Sequence, residues 1–507
     1  MVGDGCLMEG ISHEAASLAG TLGLGKLIAI YDDNGISIDG EVSQWFTEDV
    51  PARFEAYGWR VIRDVDGHDG AAIEQAFADA LALEDSRPTL VCTKTVIGFG
   101  APNKQGTAGV HGAALGSDEV DAARKALNWG FPPFEIPGRL YEEWDCTARG
   151  AELQGDWNER FAAYANAYPE LAAELQRRTS GELPANWHAP IRELARQAQD
   201  DMRSLATRKS SQLCLAAVAA GVPELLGGSA DLTGSNLTRW EGAEARQHLS
   251  FGVREFAMTA ITNGISLHGG FRPFSGTFLV FMEYARNAVR LAALMGTPNV
   301  FVYTHDSVAV GEDGPTHQPV EQLTNLRTTP GLSTWRPCDT VESAVAWEAA
   351  IAAQSHPSAL IFSRQNTPAQ PRDAQTFANI GRGGYVLLPE TGELRAVIIA
   401  TGSEVGVAME AAGTLAAEGI GVRVISMPST DVFLSQEQAY QEAVLPPAMR
   451  ARVVVEAAHP DYWYRFAGLD GRVVGIDRFG MSAPGAQAMA ELGITPERVA
   501  TAVRELV

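Results

Sequence analysis

Asp4 sits between two glycines at the start of the chain, and Asn34-Gly35-Ile36 follows 30 positions later, after a short apolar run. An acidic side chain at one strand end and an amide oxygen at the next can meet on one rim of a parallel sheet. The Asp4 carboxylate, the Asn34 amide oxygen and the Ile36 carbonyl are hard oxygen donors, suited to Mg²⁺ or Ca²⁺ bridged to a diphosphate. Gly3 and Gly5 would let the backbone approach such a group closely. A lone Gly-Asp-Gly is also an ordinary turn. Two other phosphate loops fail here. The glycines lack the third member of a dinucleotide fingerprint, and Gly20–Lys26 is followed by Leu27 where a P-loop needs Ser or Thr.

Further along, Glu255 stands at the head of an apolar helical stretch, where an isolated glutamate is commonly a cap or dipole partner. Phe278, Phe281 and Tyr284 recur at i, i+3 and i+6, the spacing of a helical aromatic stripe. His305, Asp313 and His317 crowd into two glycine-rich turns after a strand-like run. Three such groups in one loop suit hydroxyl recognition and proton transfer on a sugar.

These residues need strands to position them. "LIAIY" (27–31) and "TLVCTKTVIG" (89–98) read as strands flanking helical periodicity over 71–83. The βα alternation predicts an α/β fold with mostly parallel sheets and ligands at the carboxyl ends of strands. Pro132, Pro133 and Pro137 break the pattern, and a polar helical stretch to Arg178 leads into a connector, "SGELPANW". A second α/β unit with strands in "NVFVYTHD" and "SALIFSR" follows, and a third contains "RAVIIATGS", "VRVISMPS" and "ARVVVEAA". The reading is three consecutive α/β domains: 1–188 with its connector, 189–375, and 383–507.

The formal charge is −23, from 39 basic and 62 acidic residues, which argues against sequence-independent nucleic-acid binding. Five scattered cysteines without a CxxC pair suggest neither a disulfide framework nor a zinc site. Apolar runs stop short of a membrane span of about 18 residues, and no signal-like sequence follows Met1. A cytoplasmic protein is expected, bound to neither membrane nor nucleic acid.

"GDGCLMEGISHEAASLAG" with "LIAIYDDNGISIDG" resembles the metal and thiamine diphosphate segment of transketolases. The resemblance continues through "FGVREFAMTAITNGISLHGG", "GTFLVFMEYARNAVR" and "YTHDSVAVGEDGPTHQPVE", and is nearly continuous from Gly3 to Val507. It implies that Asp4, Asn34 and Ile36 hold the divalent ion, with Gly5 against the diphosphate. Glu9 and Glu14 would lie between two cofactors across a dimer interface, and His111 in a loop over the diphosphate and the reacting carbon. Glu255 would hydrogen-bond the aminopyrimidine ring, and Phe278, Phe281 and Tyr284 would pack around it. His317 and Asp313 would contact sugar hydroxyls. Arg208, Ser235, His305 and Arg364 would receive the phosphate, two guanidinium groups and a hydroxyl being a suitable anion receptor.

Asp231 matches a family carboxylate near the cofactor, and Gly234 stands where many relatives carry proline. The implied activity is transfer of a two-carbon ketol unit from a ketose phosphate to an aldose phosphate, in the pentose phosphate pathway, by a two-fold homodimer.

Transketolases carry a substantial segment before the Gly-Asp-Gly motif, whereas here only Met1 and Val2 precede Gly3. The expectation is weak cofactor binding and slow turnover by this polypeptide alone, with restoration by a separate N-terminal chain if one exists. A non-catalytic or split-enzyme subunit, and a related thiamine-dependent synthase, are the alternatives. The third domain carries no recognisable chemistry and is expected to serve dimer packing.

Overall fold

A computed structural model describes residues 1–82 and 85–507 and divides them into two compact units, Met1–Pro169 and Glu170–Val507. In each unit some candidate residues lie just beyond the carboxyl ends of parallel strands: Asp4 in the first, His305 and Arg364 in the second.

In the first unit, β1 (Val2–Gly3), β2 (Ile28–Asp33), β3 (Arg60–Asp66) and β4 (Thr89–Lys94) form a parallel sheet in the order β1-β2-β4-β3. The short β1 pairs Val2 with Tyr31 and Gly3 with Asp32, so Asp4 emerges one step beyond Asp32 on the neighbouring strand. Helix α1 (Asp4–Met8) starts at Asp4 itself, and α2 (Gly10–Thr21) returns the chain to β2. Strand β2 begins at Ile28 rather than Leu27, and Leu27 is partly exposed. The helix expected over 71–83 is α3 (Gly70–Ala82); Leu83 lies outside the described residues. Leu7, Tyr31, Phe54, Trp59, Leu90 and Cys92 form one core of this unit. The polar stretch that follows is helical over Thr147–Ala167, and it buries no residue in this unit.

The second unit holds two five-stranded sheets. One comprises β5 (Leu225–Ser229), β6 (Arg272–Phe278), β7 (Val300–Thr304), β8 (Ser333–Trp335) and β9 (Ser358–Phe362), all parallel, ordered β8-β9-β7-β6-β5. Every residue of β6, β7 and β9 is buried, as expected of strands covered on both faces. The other comprises β10 (Tyr385–Leu388), β11 (Ala396–Ala400), β12 (Val422–Ser426), β13 (Arg452–Val455) and β14 (Arg472–Val474) in the order β10-β12-β11-β13-β14. Only its edge strand β10 runs antiparallel to its neighbour. The apolar run "AVIIA" is β11, the central strand, with no residue accessible to solvent.

A buried ionic cluster joins the two sheets. Arg336, just after β8, donates to Asp306 at 2.7 Å and to Glu456 at 3.1 Å, and it also pairs with Glu404. Arg327 makes a two-pronged bond to Glu456 at 2.6 and 2.8 Å. Two guanidinium groups against three carboxylates out of water make loss of either arginine costly, since an unpaired buried charge remains. Burial lifts the Glu404 carboxyl above its ordinary value despite Arg336. For Glu456 the same burial is outweighed by Arg327 and Arg336, and its pKa falls. Among the described residues, no helix is long and apolar enough to cross a membrane, and the five cysteines are free.

Candidate active site

The first unit carries an oxygen-rich rim. Asp4 is buried, and each carboxylate oxygen accepts one bond: Oδ1 from the Tyr31 hydroxyl at 2.6 Å and Oδ2 from the Gly35 amide at 3.0 Å. Those bonds tie the end of β1 to the turn after β2. Burial raises the Asp4 carboxyl above its usual value, against the Tyr31 and Gly35 bonds that favour the anion. Burial and the adjoining carboxylate push the Tyr31 phenol well up, so it remains a donor. Asn34 Oδ1 accepts from the Ile36 amide at 3.0 Å, while its Nδ2 donates to Asp32 at 3.3 Å, which sets the amide's orientation.

Among the described residues no three His, Cys, Asp or Glu side chains converge as a metal cluster. A cation at this rim therefore depends on a mixed set of carboxylate, amide and main-chain oxygens. Each of these oxygens has a second lone pair beyond the bond it accepts, so the set fits a hard divalent ion. A Cβ added at Gly5, in the first turn of α1, would meet nothing, so that side of the rim is open. Glu9, between α1 and α2, is exposed, and Glu14 is half-buried within α2. His111 ends a short turn, Ala108–Val110, and is exposed. Neither Glu9 nor His111 belongs to the Asp4–Tyr31–Gly35 set.

In the second unit Phe278, His305 and Arg364 fall at the carboxyl ends of β6, β7 and β9, while Arg208, Ser235, Glu255 and Tyr284 lie in helices. The aromatic spacing does not describe a helical stripe. Phe278 ends β6, Phe281 lies in a single tight turn (Leu279–Phe281), and only Tyr284 is in helix α4 (Met282–Met295). A strand end followed by a tight turn brings every third residue to one side as a helix would, which is why the spacing misleads. Phe278 and Phe281 stack at 5.6 Å, whereas Tyr284 is 68% exposed. Glu255 is the first residue of α5 (Glu255–His268) and only 9% exposed.

His305 follows β7 directly with φ +60°, a left-handed conformation unusual for a residue bearing a Cβ. Its ring is 3% exposed, lies on Phe278 at 3.7 Å, and has Nδ1 2.8 Å from the Thr304 hydroxyl. Burial, and then the charges of Arg208 and Arg364, hold its pKa down to about 3, so the imidazole is neutral near pH 7. His317 sits edge-on to Phe281 at 5.2 Å, with Nδ1 2.9 Å from the Thr316 hydroxyl. In both rings Nε2 is the nitrogen that can face a ligand. Asp313 is exposed on the same loop.

Arg208 and Arg364 are brought together through their neighbours. The Thr207 amide donates to the Ser363 hydroxyl at 3.0 Å, the Ser363 amide donates back to the Thr207 hydroxyl at 2.6 Å, and the Arg208 amide bonds the Ser363 carbonyl at 3.2 Å. Arg208 donates to the Ser235 carbonyl at 2.7 Å. Burial, and then the nearby Arg364 charge, lower the Arg208 pKa.

The residues that hold this rim include several that the sequence did not single out. Asn236 Nδ2 donates to the Ser229 hydroxyl at 3.0 Å, and its Oδ1 accepts from Thr304 at 2.7 Å, so β5 and β7 are laced together beneath His305. Asn236 and Thr304 adjoin Ser235 and His305 in the sequence, which is the local signal they give. Asp231, next to β5, also adopts a left-handed φ of +56°.

Three family models match in order: the transketolase thiamine diphosphate binding domain over residues 1–184, the transketolase pyrimidine binding domain over 203–370, and the transketolase-like C-terminal domain over 383–495. The chain belongs to the transketolase family. It is 57% identical over 512 residues to transketolase 2 of Aliivibrio fischeri and to transketolase 1 of Vibrio cholerae, covering all of this chain and 77% of each relative. A Pichia stipitis transketolase solved with sedoheptulose 7-phosphate superposes with TM-score 0.93 at 40% identity, over 100% of this chain and 75% of that one. The Leishmania mexicana transketolase superposes with TM-score 0.90 at 40% identity, over 99% and 74%. Transketolase activity, the mostly parallel α/β fold and a thiamine diphosphate binding domain go with that membership.

Proposed function

We propose that this chain transfers a two-carbon ketol unit from a ketose phosphate to an aldose phosphate, with thiamine diphosphate and a divalent cation bound, as a two-fold dimer in the cytoplasm. The observation that carries this reading is the rim of β7: a buried His305 stacked on Phe278, beside two arginines whose neighbours Thr207 and Ser363 are cross-bonded.

Asp4, Asn34 and the Ile36 carbonyl would hold Mg²⁺ or Ca²⁺, with Gly5 leaving room for the diphosphate. When bound, thiamine diphosphate supplies the nucleophilic carbon and the electron sink for breaking the carbon–carbon bond. Glu255, at the head of α5, would hold the aminopyrimidine ring against Phe278 and Phe281, with Tyr284 at their edge. Arg208, Arg364 and Ser235 would bind the sugar phosphate; charge-assisted bonds of this kind are about twice as strong as neutral ones.

His305 and His317 would face the sugar hydroxyls through Nε2. Because His305 is neutral, its Nε2 can accept a hydrogen bond from a sugar hydroxyl without placing a further cation next to the two arginines. Asp313 would hold a further hydroxyl, and His111 would lie in a loop over the diphosphate and the reacting carbon. Glu9 and Glu14 would lie at the dimer interface. The domain division that fits this reading is 1–188, 189–375 and 383–507.

Purified chain with thiamine diphosphate and Mg²⁺ is expected to form a new ketose from a ketose phosphate and an aldose phosphate. Product formation with pyruvate or formaldehyde as acceptor, and none with ribose phosphate, would contradict the reading in favour of a related synthase.

A further inference from the structure

The loop that carries Asp313 and His317 does not support itself. Its root is Asp306, held by Arg336, and its far end is Val320, whose carbonyl accepts from the His459 amide at 2.9 Å. Between those points it rests on residues 480–485, which belong to the last α/β segment. Gln318, 3% exposed, donates from Nε2 to the carbonyls of Gly311 at 2.9 Å and Met481 at 2.8 Å. The Ser482 hydroxyl donates to the Glu312 carbonyl at 2.6 Å. The approach is close enough to require glycine: a Cβ at Gly485 would lie 2.4 Å from the Ala309 carbonyl oxygen, and one at Gly480 would strike the Gln318 amide. Every one of these contacts reaches the loop's backbone or Gln318, and none is made by Asp313 or His317.

We propose that Gln318, Ser482 and Gly485 are positioning residues for sugar binding, fixing the loop 309–317 so that Asp313 and His317 meet the substrate, and that the C-terminal segment contributes to the reaction through this contact. The proposal rests on the assignment of Asp313 and His317 to sugar recognition. It gives the last segment a role in substrate affinity, in place of the packing role expected from its sequence.

Gly485→Ala, Ser482→Ala and Ser482→Thr test it in the full chain, with Gly413→Ala as control. Gly485 begins a helix (Gly485–Glu491), where alanine is intrinsically favourable, so its added methyl acts on Ala309 rather than on its own helix. A Cβ at Gly413 would meet nothing.

Gly485→Ala is expected to raise the donor KM at least tenfold and to speed amide exchange over 309–317, while thiamine diphosphate affinity stays within twofold. Ser482→Ala should do the same to a smaller degree, Ser482→Thr should restore it, and Gly413→Ala should change neither. Unaltered donor KM and exchange in Gly485→Ala, or cofactor affinity falling in step with the donor KM, would overturn the proposal. If the parent chain shows no ketol transfer, the proposed function fails, and the exchange measurement alone decides whether the clamp exists.

Discussion

At the rim of the first sheet, the candidate polar side chains are few, and only Asp4 is buried among them. Asp4 spends one bond on Tyr31 and one on Gly35, Gly5 has nothing within reach, and Glu9 and His111 are exposed. At the rim of the middle sheet the arrangement is reversed. His305 is buried, stacked and hydrogen-bonded, and Ser229, Asn236 and Thr304 brace the strands beneath it. One rim is assembled by the protein, whereas the other offers donors that a cation and a diphosphate would organise. Under the proposed function, the difference means that sugar recognition would be preorganised, while cofactor binding would depend on added ions.

The sharpest way to break that comparison is to remove chemistry from the preorganised side. Glu255→Gln is expected to lower turnover by about 10²–10⁴-fold, the usual worth of a positioned acid–base group, in steady-state assays at saturating cofactor. Arg208→Ala should raise the KM of a phosphorylated donor about 10–100-fold, as loss of a charge-assisted bond worth roughly 1.5–3 kcal/mol implies. A non-phosphorylated ketose should be indifferent to that change.

Asn236→Ala should destabilise the fold by about 1–3 kcal/mol by taking one partner from each of the buried Ser229 and Thr304 hydroxyls, read as a lower midpoint in denaturant. A dependence on pH also follows. His305 titrates at about 3 when folded and near ~6.5 when unfolded. Between those values the unfolded chain binds more protons, so stability falls as pH drops through ~6.5, by at most about 1.4 kcal/mol per unit. His305→Asn, which tolerates the left-handed backbone, should flatten that profile.

The strands were legible because apolar runs such as "AVIIA" and "SALIF" are buried on both faces and end in polar residues. Glu255, His305 and His317, whose roles are proposed, stand out in the sequence because each is embedded in a long motif. What escaped is what depends on residues far apart in the chain. The Arg336 cluster draws on positions 306, 404 and 456, and no local spacing announces it. The lacing by Asn236 joins β5 to β7 across 68 positions. The aromatic trio was misleading because periodicity cannot separate a strand end plus a tight turn from a helix. The role of residues 480–485 was invisible for the same reason: Gly480 and Gly485 look like ordinary turn glycines until Gln318 and Ala309 are seen against them.

The most direct test of the oxygen rim is calorimetric titration of thiamine diphosphate into the parent chain and into Asp4→Ala, with Mg²⁺ and with chelator. The account predicts binding by the parent that requires Mg²⁺ and is weakened at least ~10-fold by the substitution, in the range set by disturbing a metal's ligand environment. Binding that is equal with and without Mg²⁺, and unmoved by Asp4→Ala, would contradict it.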